Sequence, residues 1–217
     1  MSDRNINYLH NPRQEIIEFI PSEARKVLDV GCNTGGFGEA LKSKREVEVW
    51  GIEPRKEAAE KASLPLDHVI NALFDENLKV PTKDFDVVVF NDVLEHMPDP
   101  WQALSIARDL LKEGGCIVAS LPNVRHIENL YHLIVEEDFK YEKWGVRDKT
   151  HLRFFTEKSA VRMFDESGFE VESVSWINEK WWNKTILKRL LFRVFNRKLK
   201  NTKYLQFVVV ALPKETI

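Results

Sequence analysis

Short apolar runs alternate with segments of helical periodicity along the first part of the chain. The apolar runs predict β-strands, at positions 26–30, 47–52, 67–71, 85–91 and 116–121. The intervening segments predict helices, at positions 36–44, 54–62 and 100–112. Two stretches, 87–90 and 117–119, are apolar at every position, as expected of strands covered on both faces. Strands alternating with helices predict a parallel sheet with right-handed crossovers.

Both ends of the chain depart from simple alternation. Pro12 and Pro21 bracket a short helix with an apolar side. Towards the C terminus the pattern predicts a helix at 156–167, which Gly168 ends, and strands at 169–177 and 204–212. The sequence contains no internal repeat and no low-complexity segment, so residues 1–217 are predicted to form a single α/β domain.

Composition excludes several classes of protein. The net charge of −2 argues against a generally basic nucleic-acid-binding protein, and no nucleic-acid partner is expected. The two cysteines, Cys32 and Cys116, are too few for a disulfide framework or a metal quartet. The first residues contain no apolar run typical of a signal peptide, and no stretch of membrane-spanning length is free of charge. The sequence therefore predicts a cytoplasmic protein.

The segment from Val27 to Gly38 runs from an apolar strand through a turn with four glycines into a helix. Glycines let the backbone turn sharply and approach a ligand closely, and the amides at the start of the helix stay free. The strand carries Asp29, whose carboxylate would repel a phosphate but suits ammonium or hydroxyl groups. The turn lacks the lysine of a P-loop, and Asn33 interrupts the G-x-G-x-x-G pattern of dinucleotide-binding proteins.

Glu53 ends the second predicted strand, about 20 residues after the glycine turn. An acid at this place can accept hydrogen bonds from two ribose hydroxyls. A helix cap before Pro54 is the alternative, and the two roles are compatible.

Three sequence features carry a family resemblance. The pattern hydrophobic-Asp-x-Gly-x-x-x-Gly resembles motif I of the class I S-adenosylmethionine (SAM) methyltransferases, with Asn33 where many members have glycine. The stretch from Asp92 to His96 resembles the Asp-Val-Leu-Glu-His segment of small-molecule methyltransferases. The segments 122–126 and 150–156 resemble bacterial methyltransferases of cell-surface glycan pathways, among the type 11 and type 23 methyltransferase domains.

The resemblance implies a fold and a methyl donor. The fold is a Rossmann-like α/β fold with a seven-stranded, mostly parallel sheet, an antiparallel last strand and helices on both faces. The donor is S-adenosylmethionine. The residues implied to bind it are Asp29, Gly31, Cys32 and Gly35 at the methionine part, Glu53 at the ribose, Asn71 or Asp75 at the adenine, and Asn91 and Asp92 at the end of the fourth strand.

The same resemblance implies methyl transfer to an oxygen, or less favourably a nitrogen, of a small-molecule or glycan-type acceptor, in cell-surface polysaccharide biosynthesis. His96 or His151 would accept the proton, since the reference pKa of histidine lies near neutrality. For both histidines a purely structural role in the loop stays open. An insertion at about 123–155 would form the acceptor site, and the residues implied to contact the acceptor are Tyr8, Arg13, Asn123, Arg125, His126 and Arg153.

Two further interpretations of the same motifs stay open. The pattern Asp92-x-x-Glu95-His96 with a later His151 resembles the Glu-x-x-Glu-His pattern of quinone-pathway O-methyltransferases that use Mg²⁺. The main interpretation needs no metal ligand, because Asp92 stands in place of the first Glu and has a shorter reach. The other interpretation is a SAM-binding partner subunit without catalysis.

A basic segment precedes the last strand. Between Lys180 and Lys203 the sequence has basic and apolar residues but no acid, and positions 183–200 predict an amphipathic helix. Such a helix suits an anionic membrane surface, in peripheral contact, or a diphosphate-bearing acceptor. A solvated basic face is the alternative. A homodimer is also left open.

Overall fold

The computed structural model describes residues 11–180 and 199–215. Tyr8 and nearly all of the predicted basic helix at 183–200 lie outside these residues. Within the described residues the chain forms the helices α1 Gln14–Ile17, α2 Gly36–Lys44, α3 Lys56–Ala62, α4 Pro100–Leu110, α5 Ile127–Ile134 and α6 Glu157–Glu166. The strands there are β1 Lys26–Val30, β2 Glu48–Ile52, β3 His68–Ile70, β4 Phe85–Asn91, β5 Leu111–Pro122, β6 Phe169–Glu179 and β7 Tyr204–Pro213. The same residues include 3₁₀ turns at Leu94–His96 and Lys200–Lys203.

All seven strands belong to one sheet, in the order β3-β2-β1-β4-β5-β7-β6. The pairs from β3 to β5 are parallel. The last strand of the chain, β7, is antiparallel to both of its neighbours, β5 and β6. The predicted seven-stranded sheet with an antiparallel last strand is therefore confirmed.

Two apolar cores cover the two faces of this sheet. Along β4, Val88 and Phe90 pack into one core, together with α4 and α6. Val87 and Val89 pack into the other, together with residues of α1 and α2. Because successive side chains of a strand point to opposite faces, a strand buried on both must be apolar throughout. This explains the unbroken apolar run at the centre of the sheet.

The boundary between α4 and β5 differs from the prediction. The helix ends at Leu110 and β5 begins at Leu111, before the glycine pair that predicted the helix stop. Gly115 instead allows close approach of two strands, since a Cβ there would lie 2.8 Å from the carbonyl oxygen of Phe85. The glycine pair thus belongs to an irregular first part of β5, where the register with β4 shifts.

The strand order reverses at β1, which lies between β2 and β4. Loops that leave β1 and β4 at their carboxyl ends diverge to opposite sides, and open α/β sheets bind ligands in the crevice between such loops. In the described part of the chain, no helix combines the length and the apolar character needed to span a bilayer.

Candidate functional site

A cavity of about 830 Å³ opens at the carboxyl ends of β1, β2 and β4. Its walls come from six parts of the chain: the segment before α1, the glycine turn, the segments after β2 and β3, the loop after β4 and the insertion. The predicted site residues among its lining are Arg13, Asp29, Gly31, Cys32, Glu53, Asp75, Asn91, Asp92 and His96. One concave site therefore collects most of the residues predicted to bind the donor.

Left-handed backbone conformations shape the glycine turn. Gly31 has φ 71° and Gly35 has φ 84°. A Cβ on Gly31 would lie 2.8 Å from Cγ2 of Val93, so only glycine fits there without a shift. Asn33 is also left-handed, with φ 52°, a conformation that asparagine tolerates better than most residues. The departure from the family pattern at Asn33 therefore preserves the turn. Gly35 is the N-cap of α2 and does not line the cavity.

Asp29 is a buried carboxyl group on the cavity wall, with 2% of its surface exposed. Burial, and next repulsion from Glu53, raise the pKa of this group from 3.8 to about 8, and the charge of Arg13 opposes the shift. A cation placed beside Asp29 would favour its ionised form.

Glu53 forms hydrogen bonds with both the glycine turn and the segment that leads into α3. Its Oε2 atom accepts a hydrogen bond from the amide of Asn33 at 3.0 Å. Its Oε1 atom accepts hydrogen bonds from the amide of Arg55 at 3.0 Å and from Nε of Arg55 at 2.9 Å. The N-cap of α3 is Arg55, so Glu53, two residues earlier, is not that cap. Glu53 keeps part of its acceptor capacity for a ligand in the cavity.

The two candidates for the adenine contact lie in different places. The side-chain nitrogen of Asn71 donates to the carbonyl oxygens of Glu53 at 2.8 Å and Pro54 at 3.0 Å. Asn71 does not line the cavity, whereas Asp75 does. Cys32 also lines the cavity, and burial strongly raises the pKa of its thiol, so it stays uncharged.

A buried polar network supports the end of β4. Asp92 has φ 54° and accepts hydrogen bonds from Oγ of Ser120 at 2.9 Å and from Nε2 of Gln206 at 2.6 Å. The guanidinium group of Arg13 donates to Asp92 and, at 3.0 Å, to Oγ of Ser120. Both carboxylate oxygens of Asp92 are therefore engaged. By contrast, the side-chain atoms of Asn91 are buried without a hydrogen-bond partner among the described residues.

Ser120 and Gln206 were missed at the sequence level. Ser120 is fully buried, between Ala119 and Leu121 in β5. A single hydroxyl inside an apolar strand is a signal for a buried polar partner, because an unpaired polar group is costly there. Gln206 lies in β7 beside Pro122 of β5, and only the strand order brings it to Asp92.

His96, His151 and Glu95 form a compact cluster below the mouth of the cavity. The rings of His96 and His151 meet edge to face with centroids 4.7 Å apart. Nδ1 of His96 lies 3.2 Å from the carbonyl oxygen of Thr150, and Nδ1 of His151 lies 3.3 Å from that of Val146. Each carbonyl favours a proton on Nδ1, which leaves the Nε2 lone pair free.

Glu95 is the buried acid of this cluster, with 1% of its surface exposed. Oε1 lies 3.9 Å from Nε2 of His151, and neither carboxylate oxygen has a hydrogen-bond partner among the described residues. Burial, and next the charge of Asp92, raise the pKa of Glu95 well above its usual range. Burial also lowers the pKa of His151, with the neighbouring His96 as the second cause. His96 lines the cavity, whereas His151 lies behind it.

Four residues predicted at the acceptor site do not line the cavity. Asn123 donates to the carbonyl oxygens of Asn201 at 3.0 Å and Tyr204 at 2.9 Å, and its own Oδ1 accepts from the amide of Arg125. Nε2 of His126 lies 3.2 Å from the carbonyl oxygen of Lys180.

Arg153 donates to the carbonyl oxygens of Leu152 and Pro98. The insertion contributes other residues to the cavity, namely Lys143, Asp148, Lys149 and Thr150.

Comparisons with known proteins agree with this geometry. The profile of a methyltransferase domain family matches residues 5–174. A ubiquinone biosynthesis O-methyltransferase of Vibrio atlanticus is 30% identical over 151 residues, which cover 66% of this chain and 62% of that protein.

Solved structures share the fold. A SAM-dependent methyltransferase of Archaeoglobus fulgidus superposes with a TM-score of 0.63 at 20% identity, over 96% of this chain and 89% of the other. The methyltransferase solved in complex with the Trm112 activator of Haloferax volcanii superposes with a TM-score of 0.69 at 16% identity, over 99% and 94%. With the match over most of its length and a cavity built around Asp29 and Glu53, the chain belongs to the class I SAM-dependent methyltransferases.

Proposed function

We propose that the protein transfers the methyl group of SAM to a hydroxyl oxygen of a small-molecule or glycan-type acceptor. The observation that carries this proposal is the position of His96. Its ring lies on the wall of the cavity that Asp29 and Glu53 share, and its Nε2 lone pair is free. The proposed place in cell-surface polysaccharide biosynthesis is supported by the resemblance of segments 122–126 and 150–156.

The donor is held, in this proposal, by charge and hydrogen bonding along the cavity wall. Asp29 would receive the ammonium group, and Arg13, whose charge acts on Asp29, suits the carboxylate of the methionine part. Glu53 would accept hydrogen bonds from the ribose hydroxyls, and Asp75 from the adenine amino group. Gly31 lets the backbone approach the ligand, since it carries no Cβ. Asn91 offers an unused donor and an unused acceptor to the same ligand.

The transfer step needs alignment and removal of a proton. The sulfonium of SAM supplies an activated methyl group, so the acceptor oxygen needs only an in-line approach and a base. His96 would accept the acceptor proton on Nε2, while the carbonyl of Thr150 holds the Nδ1 proton and fixes the ring. His151 and Glu95 lie behind this ring and, in this proposal, position it.

Replacement of His96 tests the assignment. His96→Ala should lower the rate of methyl transfer by about 10²- to 10⁴-fold while SAM affinity stays unchanged. The matched control is His132→Ala, because His132 is a histidine paired with Glu136 outside the cavity. The assay uses radiolabelled SAM with phenols, catechols and hexose derivatives. An unchanged rate for His96→Ala contradicts the base role, and SAM binding without transfer to any acceptor favours a non-catalytic subunit.

A second candidate is metal-assisted transfer, favoured by the unpartnered oxygens of the buried Glu95. One ligand atom each from Glu95, His96 and His151 lie within 4.8 Å of one another. Asp92 does not join them, since its oxygens are engaged by Ser120, Gln206 and Arg13. The donors are then two imidazoles and one carboxylate, whereas Mg²⁺ prefers oxygen ligands. The set does not fit Mg²⁺ and suits an imidazole-binding divalent ion such as Zn²⁺ or Co²⁺.

In the first candidate function His96 accepts a proton, and in the second it binds a metal ion, so it cannot have both roles. A titration with Co²⁺ distinguishes the two candidates. The second candidate predicts visible absorption bands in the wild type that Glu95→Gln and His151→Ala abolish and His132→Ala retains. The first predicts no such bands and a full transfer rate after dialysis against a chelator.

We also propose that the basic segment at 183–200 contacts an anionic membrane surface. Its sequence supports this, with basic and apolar residues and no acid. The described chain adds exposed apolar side chains at the end of α5, where Leu133, Ile134 and Val135 are 41%, 73% and 61% exposed. We expect the protein to co-sediment with anionic vesicles, and we expect added salt to weaken this binding. Absence of binding would contradict the proposal. A homodimer stays a prediction.

A further inference from the structure

The insertion contributes two lysines, Lys143 and Lys149, to the lining of the cavity. Asp148 lines the cavity beside them, and Asp29, Glu53 and Asp75 line the part proposed to bind the donor. A ligand that extends from the donor to the insertion would therefore reach a pair of cationic side chains.

The local backbone places the two lysines side by side. The amide of Glu142 donates to the carbonyl oxygen of Arg147 at 2.8 Å, and the amide of Lys149 donates to that of Glu142 at 3.0 Å. These bonds form a parallel bridge between Glu142 and Asp148. Lys143 and Lys149 each follow one of the bridged residues, so they occupy neighbouring positions at the wall of the cavity.

The acids of the same loop are engaged elsewhere. Glu142 forms an ion pair with Arg147 at 2.7 Å. Oδ1 of Asp148 accepts hydrogen bonds from the amide of Thr150 at 2.8 Å and from its hydroxyl at 2.7 Å. Among the described residues, no carboxylate forms an ion pair with Lys143 or Lys149. Two lysines that form no ion pair there keep their ammonium groups available to an anion in the cavity.

The lysine loop is also attached to the candidate base. Lys149 precedes Thr150, whose carbonyl oxygen lies 3.2 Å from Nδ1 of His96. The backbone at Thr150 therefore connects the candidate base directly to Lys149. The lining of the cavity also includes Met97 and Pro98, which offer an apolar contact.

We infer that the acceptor carries an anionic group, a carboxylate or a phosphate ester, bound by Lys143 and Lys149 while its hydroxyl lies at His96. This inference rests on the proposed methyl transfer and names the chemical class of its acceptor. The two lysines then determine specificity, because a neutral analogue would leave their charges unpaired.

The test measures binding and needs no knowledge of the natural acceptor. Benzoate, phenyl phosphate and the neutral benzamide are titrated into the complex of the protein with S-adenosylhomocysteine, by NMR or calorimetry. Both anions should bind about tenfold or more tightly than benzamide, and added salt should reduce this preference. Tighter binding of phenyl phosphate identifies a phosphate ester as the natural group, and tighter binding of benzoate identifies a carboxylate.

Variants tie the preference to the two lysines. The double variant Lys143→Gln with Lys149→Gln should abolish the preference and leave affinity for S-adenosylhomocysteine within about twofold of wild type. The matched control is Lys140→Gln with Lys158→Gln, exposed lysines that do not line the cavity. The inference is overturned when benzamide equals the anions, when no probe binds, or when the double variant keeps the preference. Loss of S-adenosylhomocysteine binding by the wild type would instead overturn the proposed function itself.

Discussion

Nδ1 of His96 lies 3.2 Å from the carbonyl oxygen of Thr150, and this contact joins the loop after β4 to the insertion. Two further bonds strengthen the same junction, since the amides of Leu152 and Arg153 both donate to the carbonyl oxygen of Glu95, at 2.8 Å and 3.0 Å. The insertion, which we propose contributes to the acceptor site, therefore also orients the candidate base.

Asp148 should act as a positioning residue through this contact. Its Oδ1 atom holds the amide and the hydroxyl of Thr150. Asp148→Ala should lower kcat about tenfold and leave SAM affinity unchanged, since misplacement of a base affects the transfer step and not donor binding. Asp148→Asn retains an acceptor oxygen and should restore most of the rate. Equal rates for the Ala and Asn variants would contradict a positioning role.

Folding stability should depend on the protonation of Asp29. The pKa of this carboxyl is about 8 in the folded protein, against 3.8 for an unperturbed aspartate. Between these values the folded state holds a proton that the unfolded state has lost, so this contribution to stability falls as pH rises and is gone above about pH 8. Asp29→Asn should remove that part of the pH dependence, on the order of a few kcal/mol. Thermal unfolding of both proteins at several pH values measures the difference, and parallel curves would contradict it.

SAM affinity should show the complementary dependence. An ammonium group beside Asp29 favours the ionised carboxylate, so donor binding below about pH 8 should release a proton. Apparent affinity should therefore rise with pH towards that value. Calorimetry in buffers of different ionisation enthalpy counts the proton, and Asp29→Asn should bind more weakly without release. Proton uptake on binding would exclude this account.

Gly31→Ala should weaken both the fold and donor binding. The added Cβ meets Val93 at 2.8 Å and the residue keeps φ 71°, so crowding and backbone strain act together, at about 1–3 kcal/mol. Gly114→Ala is the matched control, because Gly114 has φ 74° and no atom within 4 Å of its Cβ position. The loss of unfolding free energy in the Gly114→Ala variant therefore measures backbone strain alone. Val93→Ala in the Gly31→Ala background should recover the part due to crowding, and no recovery would argue against the clash.

Ser120→Ala should destabilise the protein by about 1–3 kcal/mol. The hydroxyl of Ser120 donates to Asp92 and accepts from Arg13, and both groups would lose this hydrogen bond. Ser173→Ala on the exposed side of β6 controls for loss of a strand hydroxyl and should be nearly neutral. Urea unfolding compares the two. Similar midpoints for both variants would show that the network around Asp92 contributes little.

The sheet was predictable because local pattern determines it, and so was the position of several acids and glycines at the ends of its strands. Apolar runs covered on both faces identify central strands, and Asp29, Gly31 and Glu53 follow directly from strand ends. The sequence was less informative where tertiary contacts decide. The sequence favoured Asn71 over Asp75 for the adenine contact, but in the structure the side chain of Asn71 donates to the carbonyl oxygens of Glu53 and Pro54.

The insertion was harder to interpret for the same reason. The family resemblance of segment 122–126 suggested acceptor contacts, but Asn123 and His126 form hydrogen bonds with backbone carbonyls of residues more than 50 positions away. Instead, Lys143 and Lys149 line the cavity. Their placement depends on the backbone bridge between Glu142 and Asp148, which the periodicity of the sequence does not predict. Long-range pairing of backbone groups is not encoded in the spacing of apolar residues.

The position of β7 has a consequence for biosynthesis. This strand is made after β6 yet lies between β5 and β6, and its Gln206 completes the polar network that begins at Arg13. A nascent chain can form β1 to β4 before β7 has been made, but Asp92 gains its contact with Gln206 only after β7 has joined the sheet. We therefore expect the polar network around Asp92 to form late in folding, because it joins residues from both ends of the chain.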